Sequence, residues 1–176
     1  AGLLPASFFL ACTMPSLETL WSFFGISLLL ALSPGPDNLF VLVQSAQQGW
    51  RAGLCVVLGL CSGLVVHTSA VALGLAAVLA ASPLAFQLLQ WLGAAYLCWL
   101  AWGAWHAPVS LEGAQASAIR SPWRMWARGV LMNLTNPKVL IFFLAFLPQF
   151  TAPEHGPVGR QILLLGALFM LAALLV

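Results

Sequence analysis

The residues able to do chemistry in this chain are few, and the notable ones sit in apolar surroundings. Asp37 lies in Leu32-Ser33-Pro34-Gly35-Pro36-Asp37-Asn38-Leu39, inside an apolar run from Leu17 to Ala46. Lys138 lies in Asn133-Leu134-Thr135-Asn136-Pro137-Lys138, and it alone among the cations has long apolar sequence on both sides. His67 is the third titratable group of this kind. One carboxylate, one ammonium and one imidazole at membrane depth suit ligand binding and proton movement. They do not suit hydrolysis. The chain has no H-E-x-x-H and no G-x-S-x-G, and too few acids for a carboxylate dyad within a membrane.

The two motifs share a second property: each breaks a helix. Proline lacks the N–H and clashes with the preceding turn. Pro34, Gly35 and Pro36 therefore release carbonyls near Ser33 and start a new half-helix at Asp37, and Pro137 does the same after Asn133 and Asn136. The two amides can bond carbonyls that Pro137 frees. Such backbone is tolerated in lipid only where protein buries it or a cavity meets it. The ordinary readings are a proline kink with Asp37 reaching the headgroups, and a snorkelling Lys138. Lys138 lies about ten residues, or roughly 15 Å of helix, past Arg128, which argues for mid-membrane.

The elements that position these groups follow from composition. The 176 residues are 62% hydrophobic and 6% charged, with net charge +2 and mean hydropathy +1.00. That excludes a soluble domain and a nucleic-acid surface, and predicts an all-α polytopic membrane protein. Span one is expected over Leu17 to Gln44, with a polar turn from Gln44 to Arg51. Span two covers Ala52 to Ala80. Ser82-Pro83 opens span three, Leu84 to Trp105, whose last tryptophans suit an interfacial belt. A loop runs from Ala107 to Trp123. Span four covers Arg124 to Phe150, Thr151 to Pro157 is a turn, and span five begins near Val158. Residues 1–13 lack the basic start of a secretory signal and read as an upstream extension or part of a fragment, with Met14 a candidate initiator. The rest, 14–176, reads as one transporter domain.

Arg51, Arg120, Arg124 and Arg128 place the 44–51 and 106–128 segments in the cytoplasm and the N-terminus outside. Both broken helices open a group of three spans, which predicts an inverted repeat with a first unit at about 17–105 and a second at about 124–176. Paired interrupted helices in inverted halves point to a transporter's binding site. The second unit has only two spans, so a sixth is expected and the chain reads as C-terminally truncated.

Gly59, Gly63 and His67 follow at i, i+4 and i+8, so Gly59-x-x-x-Gly63 predicts close helix packing. His67 is either an interhelical hydrogen-bonder or part of a proton path. Cys12, Cys55, Cys61 and Cys98 form no C-x-x-C pair. The last three read as small buried hydrophobes, and no metal or cofactor is expected.

Ser33 to Asp37, Gly49-Trp50-Arg51-Ala52-Gly53-Leu54, Gly59 to His67, Gly93 to Leu97, Arg128-Gly129, Asn133 to Lys138 with Phe142-Phe143, and Leu147-Pro148-Gln149-Phe150 together resemble the lysine/threonine exporter family (LysE/RhtB type) of bacterial amino-acid exporters. The resemblance covers about 14–176. It implies a six-helix exporter in the bacterial inner membrane, driven by the proton gradient. The first residues and the absent last helix depart from that pattern.

The expected substrate is a small zwitterion, bound by Pro34, Gly35, Pro36, Asp37, Asn38, Asn133, Asn136, Pro137 and Lys138. Lys138 and the half-helix N-terminus would meet its carboxylate, and Asp37 with the freed carbonyls its ammonium. Asp37 would also carry the coupling proton, because a carboxylate away from water favours its neutral form. His67 is the second coupling candidate. The expected partners are an amino acid, the proton and the lipid bilayer, with a homo-oligomer left open. The rival readings are an intramembrane enzyme and a non-transporting scaffold.

Overall fold

A computed structural model describes residues 15–106 and 121–176. Residues 1–14, with Cys12 and Met14, and the loop from Ala107 to Arg120 lie outside the described residues. Among those described there are only helices and turns: α1 (Leu17–Leu32), α2 (Pro36–Gln48), α3 (Trp50–Ala81), α4 (Pro83–His106), α5 (Pro122–Thr135), α6 (Pro137–Ile141) and α7 (Val158–Leu175). From α6 the chain continues through a π turn, Phe142–Phe146, and a 3₁₀ turn, Leu147–Phe150.

Both proline motifs break their helices as expected. α1 and α2 meet at 59°, and α5 and the Pro137–Phe150 segment at 52°. Trp50–Gly74 and Val158–Leu175 are each long and apolar enough to cross a bilayer, and each bent pair qualifies as one further span. The expected third span falls on the 24-residue helix α4, which is not among the candidate spans found in the described residues. Its tryptophans Trp91, Trp99, Trp102 and Trp105 are exposed.

Two local expectations are corrected. The polar turn placed at Gln44 to Arg51 is a single residue, Gly49, at φ 86°, a conformation open to glycine. Gln44 and Gln48 stay helical because Gln48 bonds Gln44 one turn back, 3.1 Å away. Cys55 and Cys61 are partly buried, but Cys98 is exposed. Apolar sequence does not say which face of α4 meets the π turn and α6, against which that helix packs.

α3 is the central post, packed against α2, α5 and α7. Its contact with α5 is backbone on backbone. A Cβ at Gly59 would strike the Trp126 carbonyl, with Gly129 Cα 3.0 Å away, and a Cβ at Gly129 would strike the Val56 carbonyl. A Cβ at Gly63 would meet Asn133 Oδ1 at 2.6 Å. The glycine face of span two is therefore the surface that brings α5 and its terminal break against α3. Trp126 Nε1 adds a hydrogen bond to Ser62 Oγ at 3.1 Å.

The expected turn at Thr151 to Pro157 is present and is held by one buried side chain. Gln161 Nε2 donates to the carbonyls of Ala152 and Gly156, and its Oε1 accepts from Ala152 N at 3.0 Å.

Candidate functional site

The two breaks meet. Asn136 Nδ2 donates to Asp37 Oδ2 at 2.8 Å. Asn136 Oδ1 accepts from Lys138 N at 3.0 Å, which caps α6. Lys138 Nζ then reaches back across the break in the first helix, donating to the Leu30 carbonyl at 3.2 Å and the Ser33 carbonyl at 3.1 Å. Asn38 Nδ2 takes the Ala31 carbonyl at 2.8 Å. The first break is thus closed partly by a lysine from the other broken helix, and the second by its own Asn136, which is how backbone can stop being helical at this depth.

This arrangement corrects one expectation. The carbonyls freed at the end of α1 were expected to meet a ligand ammonium, but Lys138 and Asn38 occupy those of Leu30, Ala31 and Ser33. A lysine satisfies such carbonyls better than water could in an apolar interior, because its donors are charged. Among the hydrogen bonds of the described residues, Lys138 Nζ meets backbone carbonyls and Asp37 meets an amide.

Asp37, Asn38, Asn133 and Lys138 line one cavity of about 240 Å³. That is just below the roughly 300–1,000 Å³ of drug-sized pockets, so the occupant is small. Leu60, Leu64, Val139 and Phe169 are among the apolar walls. Asp37 is 9% exposed, and its Oδ1 is buried with no partner. A buried acceptor of this kind normally has a donor.

The other expected site residues stand around this centre. Asn136, 3% exposed, positions Asp37 from behind. Asn133 Oδ1 is also buried without a partner and lies against Gly63. His67 Nε2 lies 3.3 Å from the Asn133 carbonyl, a bond that requires the hydrogen on Nε2. Its ring packs on Phe143, centroids 5.7 Å apart. His67 thus braces the end of α5 and is not among the residues lining the cavity. Pro34, Pro36 and Pro137 are exposed and act through the backbone they interrupt. Gly35 sits beneath the lysine head, where a Cβ would come within 3.1 Å of Nζ.

Sequence reasoning missed the wall contributed by α7, Phe169 and Ala173, and the Cys61 position on α3. Only their apolar character was visible. The buried Gln44 and Gln161 were also missed. Their signal was an amide at the edge of, or inside, an apolar run.

The family model described as LysE type translocator matches residues 28–176. The chain belongs to this family. It is therefore a transporter rather than an enzyme. It is 36% identical over 138 residues to the homoserine/homoserine lactone efflux protein of Salmonella typhimurium, covering 78% of this chain and 67% of that one. It is 30% identical over 140 residues to the leucine efflux protein of the same organism, covering 77% and 66%. An uncharacterized membrane protein of Pseudomonas aeruginosa is 35% identical over 172 residues, covering 92% and 78%. No solved structure matches this translocator.

Proposed function

We propose that this translocator is a proton-coupled secondary exporter of amino acids or related small zwitterionic metabolites. Its proposed setting is a bacterial inner membrane with the N-terminus outside. The observation that carries the reading is the crossing of the two breaks at a small cavity lined by both Asp37 and Lys138. The relatives named for export of homoserine and leucine support the substrate class.

In this reading the substrate ammonium donates to Asp37 Oδ1. Lys138 spends two of its three hydrogens on Leu30 and Ser33, and the third serves the substrate carboxylate. The first turn of α2 supports that carboxylate with its free N–H groups and positive end. Asn136 holds Asp37 in place, and Asn133 and Asn38 complete the polar wall. Asp37 carries the coupling proton: neutral, it releases the ammonium; charged, it holds it. His67 is a positioning residue for Asn133 rather than a member of the proton route. The inverted repeat supplies the motion, with one half rocking against the other about the crossed breaks.

Counterflow in liposomes tests the reading. Vesicles preloaded with one amino acid should accumulate the same labelled amino acid when the protein is present. No accumulation across a panel that includes homoserine and leucine would reject it.

A further inference from the structure

We propose that a septum of six phenylalanines closes the permeation path on one side, and that the pocket beyond it is the exit vestibule. The proposal rests on the exporter reading above. Phe23, Phe142, Phe143, Phe146, Phe150 and Phe169 form a continuous set of ring contacts. Phe169 lies 4.9 Å from Phe142 and 5.4 Å from Phe143, centroid to centroid. Phe142 lies 5.9 Å from Phe23 and 5.0 Å from Phe146. Phe150 closes the set at 5.2 Å from both Phe23 and Phe146.

Rings can fill any core, but three observations make this cluster a barrier. The first is its place between two cavities. Phe169 lines the cavity of Asp37 and Lys138. Phe150 lines a second, more open pocket of about 310 Å³, whose wall carries Glu18, Thr19, Ser22, Gln149, Thr151 and His155. The second observation is chain order. α1 touches the second pocket at Thr19 and Ser22, carries Phe23, and touches the first at Leu30 and Ala31. Thr19 and Leu30 are roughly 16 Å apart at helical rise. The segment from Lys138 to Phe150 repeats this in reverse: Lys138 and Val139 at one cavity, three rings between, and Gln149 at the other. Two elements thus run from pocket to pocket, and each carries phenylalanine in the interval.

The third observation is the backbone that presents the rings. Phe142–Phe146 is a π turn and passes directly into a 3₁₀ turn, Leu147–Phe150. π turns are rare and recur at functional sites. The helix leaves the α repeat over the stretch that carries Phe142, Phe143, Phe146 and Phe150. Returning this stretch to α repeat would turn those side chains relative to Phe23 and Phe169, which ride on regular helices. That supplies a route to opening without unfolding either half. The walls on the two sides differ in kind. The vestibule offers hydroxyls, an amide, a carboxylate and an imidazole, which suit a departing zwitterion that is regaining water.

The test is sided labelling of Cys61, which lines the first cavity. With the other cysteines replaced by serine, an impermeant maleimide is applied to vesicles of both orientations. A Ser22→Cys marker reports the vestibule side. Cys61 should be labelled from the side opposite the marker only. Phe146→Ala and Phe150→Ala, both at half-buried positions, should each make Cys61 reachable from both sides, and Phe146→Leu should restore one-sidedness. Labelling of wild-type Cys61 from the marker side, or one-sided labelling retained in both alanine variants, would overturn the proposal. Absent counterflow with one-sided wild-type labelling that the alanine variants abolish would reject the exporter reading and leave the barrier standing.

Discussion

Asn136 and Asp37 are 99 positions apart, and one hydrogen bond of 2.8 Å joins them. It ties the N-terminus of one half-helix to the N-terminus of another. Asn136 also caps its own helix through Lys138 N. Replacing it with alanine removes the cap, at about 1 kcal/mol. It also removes Asp37's amide partner, which costs about 2 kcal/mol or more for a charged acceptor. Asn136→Ala should therefore lower both the thermal stability of the purified protein and its counterflow. Asn136→Asp keeps a cap but sets a second carboxylate against Asp37, and should lose counterflow more completely than Asn136→Ala. Wild-type counterflow in both variants would remove the bond from the account.

The breaks themselves were legible, because a proline's missing N–H acts locally wherever the chain goes. Their meeting was expected only from symmetry, and the bond between Asp37 and Asn136 was not visible, because nothing local links positions so far apart. The role of Lys138 was half legible. Its depth followed from spacing, but its use as a brace for α1 depends on which carbonyls lie within reach. Gly59 and Gly63 read correctly as a packing face, since small residues one turn apart have few other uses in a long apolar helix. The π turn had no signature: Phe142 to Phe146 is apolar in either repeat, and only packing against Phe23 and Phe169 distinguishes them. The exposed Cys98 failed for a related reason, because apolar sequence does not say which face meets lipid.

The glycine face gives an ordered expectation. A Cβ at Gly59 meets backbone of α5, which cannot yield, whereas at Gly63 it meets the Asn133 side chain. Gly59→Ala should reduce folded yield more than Gly63→Ala. Gly63→Leu should be severe, at roughly 1–3 kcal/mol or more of overpacking, and Leu60→Ala mild. Detergent-extracted monodisperse yield reads all four. Equal yields for Gly63→Leu and Leu60→Ala would show that α3 and α5 do not need their close approach.

Lys138→Met keeps the length of the side chain and removes its donors. The carbonyls of Leu30 and Ser33 would lose their partner, so stability should fall. Exchange of substrates with a free carboxylate should fall further than exchange of the matching amides. Equal loss for acids and amides would restrict Lys138 to bracing α1.

Charge distribution predicts that the segment between α4 and α5 faces the cytoplasm, since Arg120, Arg124 and Arg128 lie in it or just beyond it. A cysteine introduced at Ser117 should resist impermeant thiol reagents in intact cells and react once the membrane is opened. Ready labelling in intact cells would invert the topology, and with it the direction assigned to the septum.

The central claim is that Asp37 both binds the substrate ammonium and carries the coupling proton. Asp37→Asn keeps the shape, can still bond Asn136, and loses the titratable charge. The decisive measurement compares this variant with wild type in proteoliposomes, following one labelled amino acid under an imposed proton gradient and then in gradient-free exchange. The account predicts that gradient-driven accumulation is abolished while some exchange remains. Wild-type gradient-driven transport by Asp37→Asn would contradict it.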